Sequence, residues 1–255
     1  MNSSSDVRLG AAIEELYRTF SCYRLPKHLT GCAHCVSDAD HALLYSKRLR
    51  LLGPKELSRF AFKAMTTWGG ADDFRHFLPR IFELIAADGG RDWIDPEVVF
   101  GKLPYGDWLR WPEHERQALS SFFEALWSNV LGHFPHPFDA DSFLCCLGHA
   151  LADLTRFLNS WQISESMTSA QHFACFVEHN SLGLNPAKNK VWSLRNAWWT
   201  HRATPANQVA DWLRDPARKV DLEQAFFSFG ATDSDAEVLS TAMEDLACIQ
   251  SFAGM

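Results

Sequence analysis

The chain has 255 residues and a mass of 28.9 kDa, with 47% hydrophobic and 22% charged residues, which excludes a disordered or fibrous chain and allows a sizeable core. Lys and Arg number 24 against 31 Asp and Glu, for a net charge of −7 and a pI near 5.9. That balance argues against a dedicated binder of nucleic acid or of anionic membranes and suits a basic partner.

The first residues, Met1 to Asp6, carry neither the cationic stretch nor the apolar run of a secretory signal. No window approaches the roughly 18 apolar residues of a membrane span, so a cytoplasmic protein with no membrane partner is expected. Seven cysteines, Cys22, Cys32, Cys35, Cys145, Cys146, Cys175 and Cys248, are an odd number spread over a long chain. A disulfide framework is not expected from them.

Helical periodicity dominates and strand-like alternation is nearly missing, so the predicted fold is all-α, a compact bundle of about ten helices forming one domain. The first helix is predicted from Asp6 to Phe20, with Leu9, Ile13, Leu16, Tyr17 and Phe20 on one side, followed by a polar loop bearing cysteines. Ser37 and Asp38 open a short helix. Gly53 and Pro54 then supply the start of a helix carrying Leu57, Phe60, Ala61, Ala64, Met65 and Trp68 and ending at Trp68-Gly69-Gly70.

Asp72 and Asp73 favour a helix start through the exposed backbone N–H groups there, and Asp88-Gly89-Gly90 ends that helix; Pro79 falls inside it and should kink it. Trp111-Pro112 begins the clearest helix, with Leu119, Phe122, Phe123, Leu126 and Val130 on one face, stopped by Pro135 and Pro137. A second long helix is predicted from Ser142, where Leu144, Leu147, Leu151, Leu154, Leu158 and Trp161 approximate a heptad stripe. The two should form a central antiparallel hairpin.

Shorter helices are expected over Ser166–His179, Val191–Thr200, Pro205–Leu213 and Leu222–Phe229. The last helix carries a capping box of Ser234 and Glu237 ahead of Val238, Leu239, Met243, Leu246 and Ile249. The segment from Gly132 to Asp141 is the place where two subdomains could part. Most of the ten tryptophans and 19 phenylalanines must be core. Trp198 and Trp199 are the exception, because adjacent indoles cannot share one helix face, and one of them is expected to reach a partner.

Candidate chemistry is sparse. Cys32 and Cys35 form a C-x2-C with His34 between them and Cys22, His28 and His41 nearby, from which a zinc site can be drawn, but the second half of a zinc motif is missing. A redox role lacks the surrounding βαβ pattern. Cys145, His149 and Asp153 recur every four residues, and His172, Cys175 and His179 form a similar stripe; each reads first as interior packing. His133 and His136 with Asp139 and Asp141 read first as turn and cap chemistry. There is no G-x-S-x-G elbow, phosphate-binding glycine loop or H-E-x-x-H, so no catalytic residue, metal or cofactor is assigned and an enzyme is not expected.

Charge distribution says more. From Trp111 onward there are 9 basic and 17 acidic residues, and after Lys219 there is no Lys or Arg, while Asp221, Glu223, Asp233, Asp235, Glu237, Glu244 and Asp245 follow. A surface of one sign steers an oppositely charged partner; Asp233, Asp235 and Glu237 also suit the first turn of a helix. On the other side, Lys55, Arg59 and Lys63 recur every four residues and could touch phosphates, or be the solvated face of an amphipathic helix.

Two stretches, Leu25-Pro26-Lys27-His28-Leu29-Thr30-Gly31-Cys32-Ala33-His34-Cys35 and Thr66-Thr67-Trp68-Gly69-Gly70 running on through Asp73 to Arg80, resemble a family of bacterial proteins of about this length. That family is associated with toxin and immunity gene clusters, including immunity proteins of type VI secretion effectors. The resemblance covers roughly the first hundred residues and carries over no catalytic residue. It implies a cytoplasmic, non-enzymatic protein that binds one cognate toxin and blocks it. An acidic second half, with Trp198 or Trp199 as aromatic anchors, is what a binder of a basic nuclease would use. The alternatives are a zinc-binding enzyme built on Cys32 and Cys35, and a nucleic-acid-binding regulator using Lys55, Arg59 and Lys63.

Overall fold

The structure, a computed structural model, describes residues 3–184, 192–229 and 233–251. It is all-helical, and among the described residues there is no β-strand, only isolated bridges of Trp68 to Gly31 and to Ala64. Residues 1–126 and 127–255 form two compact units, and the division falls inside one helix.

In the first unit, α1 (Ser4–Thr19) starts on Ser3, whose hydroxyl accepts the Asp6 N–H while Asp6 accepts the Ser3 N–H. A short α2 (Asp38–Leu44) repeats this device with Ser37 and Asp40. The third helix, α3 (Pro54–Lys63), has Pro54 in its first turn, and Glu56 accepts the Gly53 N–H. It ends earlier than its apolar stripe suggests. Ala64 leaves helical geometry, Met65 takes φ +63°, and Trp68 folds back to bridge Ala64 and Gly31. Trp68 is still core, because the turn delivers its ring against Phe60.

Helix α4 (Ala71–Asp88) runs through Pro79 and stops at Gly89, which adopts φ +69°. It packs on α1 and α3 through Phe74, Phe77, Leu78, Ile81, Phe82 and Ile85. Helix α5 (Pro96–Tyr105) has no clear apolar period, because Gly101 and Pro104 interrupt it. Phe82 stacks on Phe122 and Phe100 on Phe123 at 5.2 and 5.4 Å between ring centroids, which fixes the centre of this core.

Helix α6 (Glu113–Gly132) begins in the first unit and ends in the second, and its predicted face of Leu119, Phe122, Phe123, Leu126 and Val130 is fully buried. The long helix expected after it is two short ones, α7 (Ala140–Ala150) and α8 (Thr155–Asn159). Leu151 is extended, and Asp153 accepts hydrogen bonds from both the backbone N–H and the hydroxyl of Thr155. This local alternative to the helix splits the leucine stripe between two elements.

Then come α9 (Met167–Leu184), α10 (Ala203–Arg214), α11 (Ala217–Ser228) and α12 (Asp233–Gln250). The helix expected over 191–200 is only a 3-10 turn, Ala197–His201, and Val191 lies outside the described residues. The helix α12 packs mainly on α9 and also touches α10 and α11. Because α12 already includes Ser234, that residue is not its N-cap; the side chains of Asp233 and Ser234 lie outside the described residues.

Candidate functional site

Residues 127–255 hold 8 basic and 14 acidic side chains, and no basic residue occurs after Lys219. How that charge is displayed depends on the faces of α11 and α12. With about 100° of rotation per residue, Leu222 and Ala225 turn α11 toward the core, which sends Val220 and Phe227 straight outward. They are 59% and 81% exposed, and Glu223 lies on the same side. Asp221 points to another flank.

On α12, buried Leu239, Ala242, Leu246 and Ile249 define the inner face. Glu237 and Glu244, seven residues apart, lie opposite it and are exposed. Asp245 sits on a flank. Asp235 turns toward α9 and accepts a 2.7 Å hydrogen bond from Gln171.

The acidic residues singled out from sequence therefore divide. Arg218 pairs with Asp221 at 3.3 Å and Lys219 with Glu223 at 3.7 Å, since both cations stand one helical turn before their partners. No ion pair among the described residues engages Glu237 or Glu244. The side chain of Asp233 lies outside the described residues. The outward faces thus carry Glu237 and Glu244 on α12 and Val220, Glu223 and Phe227 on α11.

The two adjacent tryptophans have opposite fates. Trp198 is 40% exposed, whereas Trp199 is 4% exposed and leaves the candidate surface. Trp199 presses on Gly148, where a Cβ would come within 2.6 Å of its ring, so only glycine allows that approach. Sequence periodicity does not single out Phe227, the most exposed large apolar side chain among the described residues.

Of the stripe Cys145, His149 and Asp153, expected as interior packing, the first two are buried and Asp153 is exposed, because α7 ends at Ala150. Cys145 is buried, His149 Nε2 sits 2.9 Å from the Trp198 carbonyl with Arg202 donating to its other nitrogen, and Asp153 serves Thr155 beyond the helix end.

The remaining two clusters, weak when read separately, meet in the second unit. His136 from the loop before α7, the N-cap Asp139 and Asp141 in the first turn face His172, Cys175 and His179 from α9 across a cleft of about 180 Å³. Asp139 caps α7 by accepting the Ser142 N–H at 2.8 Å. His136 Nε2 lies 3.2 Å from Asn129 Oδ1, and His172 Nε2 lies 2.7 Å from the His133 carbonyl. Burial pushes the pKa of both rings down, which keeps them neutral. Burial also pushes the Cys175 thiol up, so it is no ready nucleophile.

Asp141 is 5% exposed; burial raises its carboxyl to about 6, against the opposing pull of the Asn180 amide at 3.2 Å and of His179 at 3.9 Å. Among the described residues no group of three His, Cys, Asp or Glu side chains could hold a metal ion. The cleft can store and exchange a proton.

A consequence is measurable. Because the folded chain keeps the Asp141 proton up to about pH 6 while the unfolded chain releases it near 4, the stabilisation from this group is present below about pH 4 and lost as pH rises through 6. Asp141→Asn does not titrate. It is expected to stabilise the protein above about pH 7 by up to about 3 kcal/mol, the gain shrinking to nothing near pH 4. His136, His172, His179, Cys175 and Asp139 are common to both proteins, so the difference between two Tm against pH curves isolates Asp141. A gap independent of pH would contradict the assignment.

In the first unit, the basic stripe is partly committed. Arg59 ion-pairs with Asp40 at 3.0 Å and donates to the Cys35 carbonyl, while Lys55 and Lys63 remain on α3. His41 packs edge-on against Trp68. No helix among the described residues is long and apolar enough to cross a membrane. Comparison of the chain with protein-family models, with curated proteins and with solved structures finds no match.

Proposed function

We propose that the protein is an immunity-type inhibitor that binds a cognate bacterial toxin, a basic nuclease effector of a secretion system, and blocks it in the cytoplasm without catalysing a reaction. The single observation that carries the reading is the outward surface of α11 and α12. There, among the described residues, no ion pair engages the exposed Glu237 and Glu244 of α12, and the neighbouring α11 bears solvent-exposed Phe227. Exposed carboxylates raise the rate of encounter with a basic surface, and an aromatic ring gives up much apolar area on docking. The resemblance of residues 25–35 and 66–80 to the immunity-associated family supports the same reading.

A toxin encoded beside the gene would be the partner to test by titration calorimetry and stopped-flow mixing. Binding tighter than micromolar is expected. Glu237→Lys with Glu244→Lys should slow association about tenfold at low salt and less at high salt. Phe227→Ala should instead speed dissociation, at a cost of about 1–2 kcal/mol. Absence of binding, or binding indifferent to all three substitutions, would remove the proposal.

A further inference from the structure

We propose that Cys32 and Cys35 form a thiol–disulfide couple in the first unit, with Cys32 reacting with a hydroperoxide and Cys35 resolving the product. The geometry is that of a tight turn held on a fixed base. Cys35 N–H donates to the Cys32 carbonyl at 2.9 Å, closing a four-residue turn. Such a turn keeps its end Cα atoms within about 7 Å, inside the range a disulfide spans.

The turn is moored on both sides. Cys32 N–H donates to the Thr67 carbonyl at 2.9 Å and Gly69 N–H to the Thr30 carbonyl at 2.7 Å, while Arg59, anchored by Asp40, donates to the Cys35 carbonyl at 3.0 Å. Cys32 is exposed and Cys35 half-buried, so an oxidant meets Cys32 first.

The backbone N–H groups of His34 and Cys35, the neighbouring Cys35 thiol and the positive charge of Lys63 lower the Cys32 pKa. These are the ingredients that make a thiolate available in any fold, so the missing βαβ pattern is no obstacle.

The reaction balances without a further reagent. The Cys32 thiolate attacks one peroxide oxygen, the O–O bond breaks, and the departing oxygen takes a proton to leave as water or an alcohol. The resulting sulfenic acid is attacked by the Cys35 sulfur, forming the S–S bond and releasing water with the Cys35 proton. The two thiols supply the two electrons that reduce the peroxide. A small dithiol reverses the step.

The test uses the full reduced chain, with exposed Cys22 and Cys248 as internal references. At about pH 6.5, iodoacetamide should label Cys32 about tenfold faster than either reference. One equivalent of hydrogen peroxide should then remove two hydrogen masses from the tryptic peptide His28–Lys47 and block both of its alkylation sites, reversibly with dithiothreitol. With Cys35→Ser, oxidation should stop at a Cys32 sulfenic acid trapped by dimedone; with Cys32→Ser the peptide should stay unoxidised.

Labelling of Cys32 at the rate of Cys22, an unoxidised peptide His28–Lys47 in the unmutated chain, or one tightly held zinc per purified chain would each overturn the proposal. The readouts are independent of toxin binding, so this inference and the proposed function stand or fall separately.

Discussion

Trp161→Ala is expected to cost about 3–5 kcal/mol of unfolding free energy, the range for emptying a fully buried aromatic site. Trp161 is 2% exposed and joins most of the second unit's packing. Its ring meets Trp127 edge-on at 5.1 Å, stacks on Trp212 at 5.4 Å, and contacts Phe173 and Phe176 at 5.5 Å, while its indole N–H donates to the Ser169 carbonyl. Three helices, α6, α9 and α10, supply those neighbours. Truncation leaves a void lined by rigid rings that cannot collapse into it, and an orphaned carbonyl. Trp161→Phe keeps a ring in place and should cost roughly half as much. Urea unfolding followed by circular dichroism measures both; a cost below about 1 kcal/mol for the alanine variant would show that the site is not the hub described.

A second large effect is expected in the first unit, at a buried ion pair. Glu115 of α6 is 1% exposed. The Tyr23 hydroxyl donates to one of its oxygens, Arg75 lies 3.5 Å from the other, and Arg75 also donates to the Tyr23 hydroxyl at 3.0 Å. The guanidinium is held over the Trp111 ring at 4.2 Å. Burial and the bond to Glu115 push the Tyr23 hydroxyl up to about 12, so it stays a donor.

Arg75→Leu leaves the Glu115 carboxylate desolvated with one hydrogen-bond donor, a situation that costs about 3–5 kcal/mol. The charge, rather than lost packing, is the cause, so the double variant Arg75→Leu with Glu115→Leu should recover most of the loss. A double variant no more stable than Arg75→Leu alone would mean that packing on Trp111 and Tyr23 carries the effect instead.

The contrast between these two sites and the candidate surface follows from where each kind of information resides. The stripe Leu119, Phe122, Phe123, Leu126 and Val130 could be read directly, because 3.6-residue periodicity within one helix is a local property. The same holds for the start of α4 at Asp72 and Asp73 and its end at Gly89. The break between α7 and α8 could not, since an unbroken apolar stripe continues across Leu151 and Leu154; the competing Asp153–Thr155 turn decides against it. The spacing of Trp68 fits the stripe of α3, yet the residue returns through a turn with Met65 at positive φ.

For function, composition placed the negative charge in the last part of the chain, and the outward pair Glu237 and Glu244 was within reach of helical periodicity. Which acids are neutralised was also local in principle, as Arg218 and Lys219 stand three and four residues before Asp221 and Glu223. The choice of Trp198 over Trp199 was not local, because Gly148 on another helix determines which indole is buried. Nor was the histidine cleft, whose two halves, His136 to Asp141 and His172 to His179, are joined only by the docking of α7 and α9.

The sequence by itself determined that the chain is helical, where most helices begin, which faces turn inward and where the acidic residues lie, since backbone hydrogen bonding and side-chain period act over one or two turns. Only the tertiary structure decided which helices are cut short, which tryptophan reaches the surface, and that two unremarkable clusters share one cleft around a protonatable Asp141. Those outcomes rest on contacts between residues far apart in the chain, whose energies come from packing and desolvation that no local pattern encodes.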